Sequence, residues 1–156
     1  MKKIAVLFAT LTILCACSQK SDNLSPLTIT TDNGDITYNI ETAISDEELQ
    51  TGLMNRDKLD SKSGMIFDLS RHQDRPATMW MKDTKIPLDI IFIDNDNKIF
   101  WIYEKATPMS EEIIAAPAPA KAVLEINSGD VEKHQIQIGQ TVSHSLLNTK
   151  AKKTEK

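Results

Sequence analysis

The residues that could do chemistry cluster between Ala77 and Ile93. If 77–82 is a strand, period two puts Thr78, Trp80 and Lys82 on one face and Ala77, Met79 and Met81 on the other. Asp83-Thr84 and Pro87 then break the chain into a turn, and Leu88-Asp89-Ile90-Ile91-Phe92-Ile93 follows. Asp89 shares a face with Ile91 and Ile93, and the opposite face is apolar too, so a carboxyl falls in a run that should be buried. Such a group must be hydrogen-bonded or paired, or it becomes neutral. Two readings stay open for it. Asp89 accepts bonds from turn amides around Thr84 or from Arg56 and fixes the loop, or it stands at a strand mouth beside Trp80, Lys82 and Arg56 and meets a polar ligand. Glu125 interrupts the apolar run 122–127 and poses the same question, whereas Glu48 reads as a helix cap. The functional reading places Arg56, Trp80, Lys82, Asp89 and Glu125 around one cleft. A Trp face flanked by acid and base suits sugar rings or peptide termini, which stack and hydrogen-bond.

Familiar catalytic spacings are missing from the chain: there is no G-x-S-x-G and no H-E-x-x-H. Asp89 and Glu125 could work as acid and base if they shared one cleft. His72, His134 and His144 are scattered among polar neighbours and read as loop or strand histidines. Met54, Met65, Met79 and Met81 are many for this length, and thioethers favour Cu(I). Methionine on an apolar face is more often core filler, and no His or Cys completes a set, so neither metal nor cofactor is expected. These residues favour a binding or accessory module over an enzyme. A carboxylate-dependent hydrolase is the alternative.

Short strands must position these groups. Ile36, Tyr38, Ile40 and Ile44 alternate with Thr37, Asn39 and Glu41 as in a half-buried strand, and further strand-like runs fall at 64–69, 77–81, 88–94, 98–103, 122–127 and 135–142. Asp94-Asn95-Asp96-Asn97 sits between two β-branched and aromatic runs and predicts a hairpin turn. Ser45 followed by Glu48 is a capping-box pattern. Leu49, Leu53 and Arg56 then share one side at helical spacing, with Gly52 inside, which suggests close packing against a strand or a ligand. The proline-alternating segment 115–120 predicts an extended connection. The pattern is α+β and mainly antiparallel, a small barrel-like β domain with one short N-terminal helix.

The ends of the chain read as an address and a tail. Lys2 and Lys3 precede an apolar stretch of eleven residues, 4–14. A membrane-spanning helix needs about 20, so 1–16 reads as a signal peptide. Leu14-Cys15-Ala16-Cys17 resembles the bacterial lipobox, which implies cleavage before Cys17 and its lipidation. Several acyl chains on one residue hold a domain firmly to a bilayer. Ser18 follows Cys17 where an Asp would signal inner-membrane retention, so the expected location is the cell envelope, at the outer membrane facing the periplasm. Residues 17–26 then form the lipidated Cys and a polar tether, 27–148 the folded domain, and 149–156 a disordered basic tail. From 17 to 148 there are 12 basic and 21 acidic residues, a net charge of −9. That balance argues against nucleic acid, whose binding rests on Lys and Arg neutralising phosphates. The expected partners are the membrane, through Cys17, and a glycan, small molecule or envelope protein.

Four blocks in order carry a family resemblance: Gly52-Leu53-Met54-Asn55-Arg56, Gly64-Met65-Ile66-Phe67, the run from Trp80 to Asp89, and Val123-Leu124-Glu125-Ile126-Asn127-Ser128-Gly129. Together they resemble the bacterial and archaeal family called domain of unknown function 192 (DUF192). The resemblance covers roughly 36–142 and implies a small, often exported β-rich domain, with no mechanism attached. On the lipobox reading, Cys17→Ala should move the protein from the membrane fraction to the soluble one. Fractionation after high-salt washing measures this, and continued tight membrane association would refute the anchor.

Overall fold

The computed structural model describes residues 24–148. The segment 1–16 read as a signal peptide, Cys17 and the stretch 149–156 read as a tail lie outside the described residues. The fold is mostly β. Seven strands form one sheet in the order β6-β5-β8-β3-β2-β1-β9: β1 Ser25–Thr31, β2 Gly34–Ala43, β3 Ser63–Asp68, β5 Leu88–Ile93, β6 Ile99–Ala106, β8 Ala122–Asn127 and β9 Thr141–Ser143. β2 and β3 run parallel, joined through helix α1 (Asp46–Thr51), and the other described pairings are antiparallel. A separate two-stranded sheet pairs β4 (Thr78–Met79) with β7 (Ile114–Ala115).

The large sheet is curled into a half-barrel. Its two edge strands approach closely enough for Lys98 to bridge Thr141 and for the Ile99 amide to reach the Gln140 carbonyl at 2.9 Å. Inside the curl lies one core, with Leu27, Ile29, Tyr38, Ile40, Ile66, Ile91, Ile93, Leu124, Ile126 and Val142 drawn from six strands. The outer face carries a second core, in which Met65, Phe67, Leu88, Ile90, Phe92 and Val123 are covered by Leu53, Met81, Ile86, Ile114 and Ala116 from the connecting segments. β5 is therefore buried along its whole length on both faces.

Several expectations need correction. Besides α1 there is a second short helix, α2 (Asp130–His134), and a 3-10 turn at Ser145–Asn148. α1 has six residues and stops before Leu53, because Gly52 leaves the helix at φ 45° and ψ −127°. β1 starts at Ser25, inside the stretch whose polarity suggested a tether; alternate burial of Leu27 and Ile29 holds it in the sheet. The run 135–142 is not one strand. Left-handed Gln135 (φ 53°) and Gly139 (φ 91°) turn it, and extension begins at Thr141. In 77–81 extended pairing is confined to β4, with Met81 already buried in the outer core.

Two local features match their chemistry closely. The Ser45 hydroxyl accepts from the Glu48 amide, and the Glu48 carboxylate accepts from Ser45 and Ile44 at 2.9 and 3.0 Å, completing the capping box. At the β5–β6 turn Asp94 accepts from the amides of Asp96 and Lys98, and Asn97 takes the positive φ of 61°. Near the C-terminal end, the Leu146 amide donates to His144 Nδ1, so Nε2 carries the proton toward the Ser25 hydroxyl at 2.7 Å. Burial pushes this imidazole below its ordinary pKa and keeps it neutral.

Gly64 is the tightest point of the sheet. A Cβ there would stand 2.3 Å from the carbonyl oxygen of Glu125 and 3.0 Å from Ile40 Cδ1. Backbone cannot retreat as a side chain can, so Gly64→Ala should cost about 1–3 kcal/mol or more. Urea titration measures this as a lower midpoint at unchanged m-value. A loss under about 0.5 kcal/mol would mean that β3 and β8 are not so closely apposed.

Candidate functional site

Neighbouring residues in β5 and β8 point to opposite faces of the sheet, and this separates the two buried carboxyls. Asp89 lies across from Ile126, whose side chain belongs to the core inside the curl. Glu125 lies across from Ile90 and Met65, both of the outer core. The acid–base pairing that a shared cleft would have allowed is therefore absent.

Asp89 is fully buried and serves the fold. One carboxylate oxygen accepts from the Lys105 amide at 2.9 Å; the other accepts from Gly129 at 2.8 Å and Val131 at 3.0 Å. The Lys105 amide turns inward because β6 is irregular there, with a register shift opposite Leu88 and Ile90 and Lys105 at φ 56°. Gly129 and Val131 start α2, whose own N-cap residue makes no side-chain bond, so Asp89 caps that helix from a different strand. The structural reading of Asp89 holds in kind, with partners other than Thr84 or Arg56. Beside it, burial and then the charge of Asp130 push the Tyr38 phenol far above its ordinary pKa.

Arg56 is also structural. Its guanidinium makes a two-pronged pair with Glu41 of β2, Nη2 to Oε2 at 2.8 Å and Nη1 to Oε1. That pair ties the loop after α1 to the sheet. The same loop meets the next connection through the Asn55 amide, 2.8 Å from the Asp83 carbonyl, and through Lys85 on Asp57 at 2.8 Å.

Trp80 and Glu125 do share a cavity. A groove of about 420 Å³ opens between α1, the end of β3 and the segment 75–80, with Leu49, Phe67, Leu69, Met79 and Trp80 as its apolar walls. Asp46, His72 and Arg75 line this outer part. Leu49, Gln50, Phe67, Met79 and Trp80 also line an adjoining recess of about 20 Å³, bounded further by Gly52, Met54, Thr84 and Glu125. That space holds roughly one water-sized group. Gly52 makes the approach possible, since a Cβ there would press on the Phe67 ring at 3.0 Å. Lys82 stays outside both spaces, its ammonium 5.3 Å from the centre of the Trp80 ring.

Glu125 is 4% exposed. Among the described residues no hydrogen bond or ion pair reaches its carboxyl, and burial alone pushes its pKa up to about 8. At neutral pH the group is thus mostly protonated. Of the five residues expected in one cleft, Trp80 and Glu125 line it, Lys82 backs Trp80, and Arg56 and Asp89 belong elsewhere. Sequence reasoning does not find the apolar walls Leu49 and Phe67, and it raises Met54 and Met79 only as soft-metal candidates or core filler. Three of the four sequence blocks meet in the recess through Gly52, Trp80 and Glu125, and Phe67 adds the fourth.

Residues 28–144 match the DUF192 family model, described as Uncharacterized ACR, COG1430. A crystal structure of a protein of unknown function from Novosphingobium aromaticivorans DSM 12444 is similar at 38% identity and a TM-score of 0.74, covering 78% of this chain and 85% of that one. A protein from Sinorhizobium meliloti 1021, proposed to be a transcription regulator, is similar at 35% identity and a TM-score of 0.71, covering 76% and 91%. No curated protein matches the chain.

A carboxyl with a raised folded pKa keeps a proton that the unfolded chain releases above about 4.5. Stability is therefore lost as pH rises from that value toward about 8, at up to about 1.4 kcal/mol per pH unit. Glu125→Gln has no such proton to lose. Urea titrations at pH 5, 7 and 9 should show the variant gaining on the wild type as pH rises, with the gap levelling off above 8. Parallel pH profiles would mean that the carboxyl is paired or solvated.

Proposed function

The chain belongs to the DUF192 family, and we propose that this member is a lipid-anchored binding module of the cell envelope that takes a small organic molecule into the Trp80 groove. The observation that carries the reading is a groove of about 420 Å³, within the size range of ligand pockets, adjoined by a small recess that Glu125 lines with a carboxyl no protein hydrogen bond reaches. Apolar and aromatic walls are combined with the polar groups of Asp46, Gln50, His72, Arg75 and Thr78, a composition that can bury a small ligand's body and orient it. Support for the anchor comes from the lipobox-like Leu14–Cys17 sequence, and support for a partner other than nucleic acid from the net charge of −9 over 17–148. For that reason the role proposed for the Sinorhizobium protein is not carried over.

Hydrolysis by two carboxylates draws less support. Asp89 faces the other side of the sheet with its oxygens occupied by amides. The remaining carboxylate of the groove, Asp46, is exposed on its outer part.

Thermal-shift screening of small aromatic, amine and sugar molecules at pH 7 tests the binding reading. A ligand present at 100 times its Kd adds about 2.7 kcal/mol to the folded state and raises Tm accordingly. Trp80→Ala, half-buried and at the groove wall, should keep the fold and lose the shift. Shifts of equal size in Trp80→Ala would place binding elsewhere and sink the reading.

A further inference from the structure

The recess at the end of the groove is specific enough to narrow the ligand's chemistry. It has room for one small group, and Glu125 is the one ionisable residue among those lining it. Around Glu125 the recess is lined by apolar, aromatic and hydroxylic residues, among them Met54, Phe67, Met79, Trp80 and Thr84, and by one neutral amide, Gln50; no cationic side chain lines it. Thr84 already directs its hydroxyl to the Lys82 carbonyl at 3.2 Å. The charged groups of the groove, Asp46, His72 and Arg75, line its outer part and not the recess, and Lys82 lies against Trp80. An anion would meet a carboxyl and two electron-rich ring systems. A cation would find all of these favourable, because ring faces and a carboxylate both attract positive charge. Trp80 already holds one ammonium in this way, that of Lys82.

Building on the groove as a small-molecule site, we infer that its ligand carries a primary ammonium group, which sits in the recess on the Glu125 carboxylate while an apolar body lies along Trp80. The step balances simply. At neutral pH the Glu125 carboxyl gives its proton to solvent and the resulting carboxylate pairs with the ligand's cation. Amine binding then strengthens as pH rises toward about 8, where Glu125 is no longer mostly protonated. It weakens again only near the amine's own pKa, about 10 for an alkyl ammonium.

Three probes of one shape decide it: phenethylamine, phenethyl alcohol and phenylacetate, titrated by tryptophan fluorescence and calorimetry at pH 6, 7, 8 and 9. The amine should bind at least about tenfold more tightly than the alcohol at pH 8, as a charge-assisted hydrogen bond implies, and phenylacetate most weakly. Calorimetry in buffers of different ionisation enthalpy should show proton release on amine binding at pH 7 that fades by pH 9. In Glu125→Gln, verified as folded by circular dichroism and a cooperative melt, the amine's advantage should fall to within about twofold. If that variant does not fold, the wild-type comparison and its proton release decide the matter. Alcohol and amine binding equally, without proton release, would overturn the ammonium inference and leave the groove reading standing. Binding by none of the three would overturn both.

Discussion

Two carboxyls lie almost side by side in the most deeply buried part of the sheet, and the protein treats them in opposite ways. Register pairs Asp89 with Ile126 and Glu125 with Ile90, so they sit one step apart across β5 and β8 and face opposite sides. Each lies in a strand with an apolar core on both faces, where an unsatisfied polar group costs free energy of the order of a lost hydrogen bond or more. Asp89 meets that constraint with three backbone amides. Glu125 meets it by keeping a proton. One group thereby organises the inner core and α2, and the other leaves an open chemical demand on the outer face.

The outer face owes its shape to connections more than to regular elements. α1 has no buried residue, and β4 and β7 have two residues each. What holds this layer is a set of single bonds between loops: Met81 amide to Ser110 carbonyl, Met109 amide to Thr84 carbonyl, Ala116 amide to Ala77 carbonyl, and Asn55 amide to Asp83 carbonyl. Each satisfies a backbone group that burial would otherwise leave unpaired. Because the layer is stitched together instead of close-packed by a long helix, it can leave a groove beside Trp80 without opening the core inside the curl.

Much of the sheet was legible in the sequence, since β-branched runs broken by turn residues mark β5, β6 and β8, and the Asp94–Asn97 turn follows from its side-chain chemistry. Period two also puts Asp89 on the face of Ile91 and Ile93. The faces themselves were not legible. When both sides of a strand are apolar, alternation cannot tell which side lies inside the curl or what covers the other, and the contrast between Asp89 and Glu125 depends on that. Arg56 shows a second limit. Helical spacing placed it with Leu49 and Leu53, but Gly52 ends the helix and the guanidinium finds Glu41 instead. The groove's walls escaped for a related reason: Leu49, Phe67 and Met79 look like core residues in sequence, and only tertiary packing leaves a gap between them.

The persistence of a lone acid in the outer core is itself informative. A Leu or Met at position 125 would fill the recess, pack against Phe67 and Met79, and remove the burden of burying an ionisable group. Local rules of burial are broken here, whereas at Asp89, a few ångströms of strand away, they are obeyed in full. Natural proteins tolerate such breaks chiefly where a site uses them. The close approach of Gly52 to Phe67 runs the same way, for a left-handed glycine at the exit of α1 thins the wall between helix and sheet at the point where the recess forms. In the binding role proposed above, both features serve a small group that enters beside Trp80 and meets the Glu125 carboxyl.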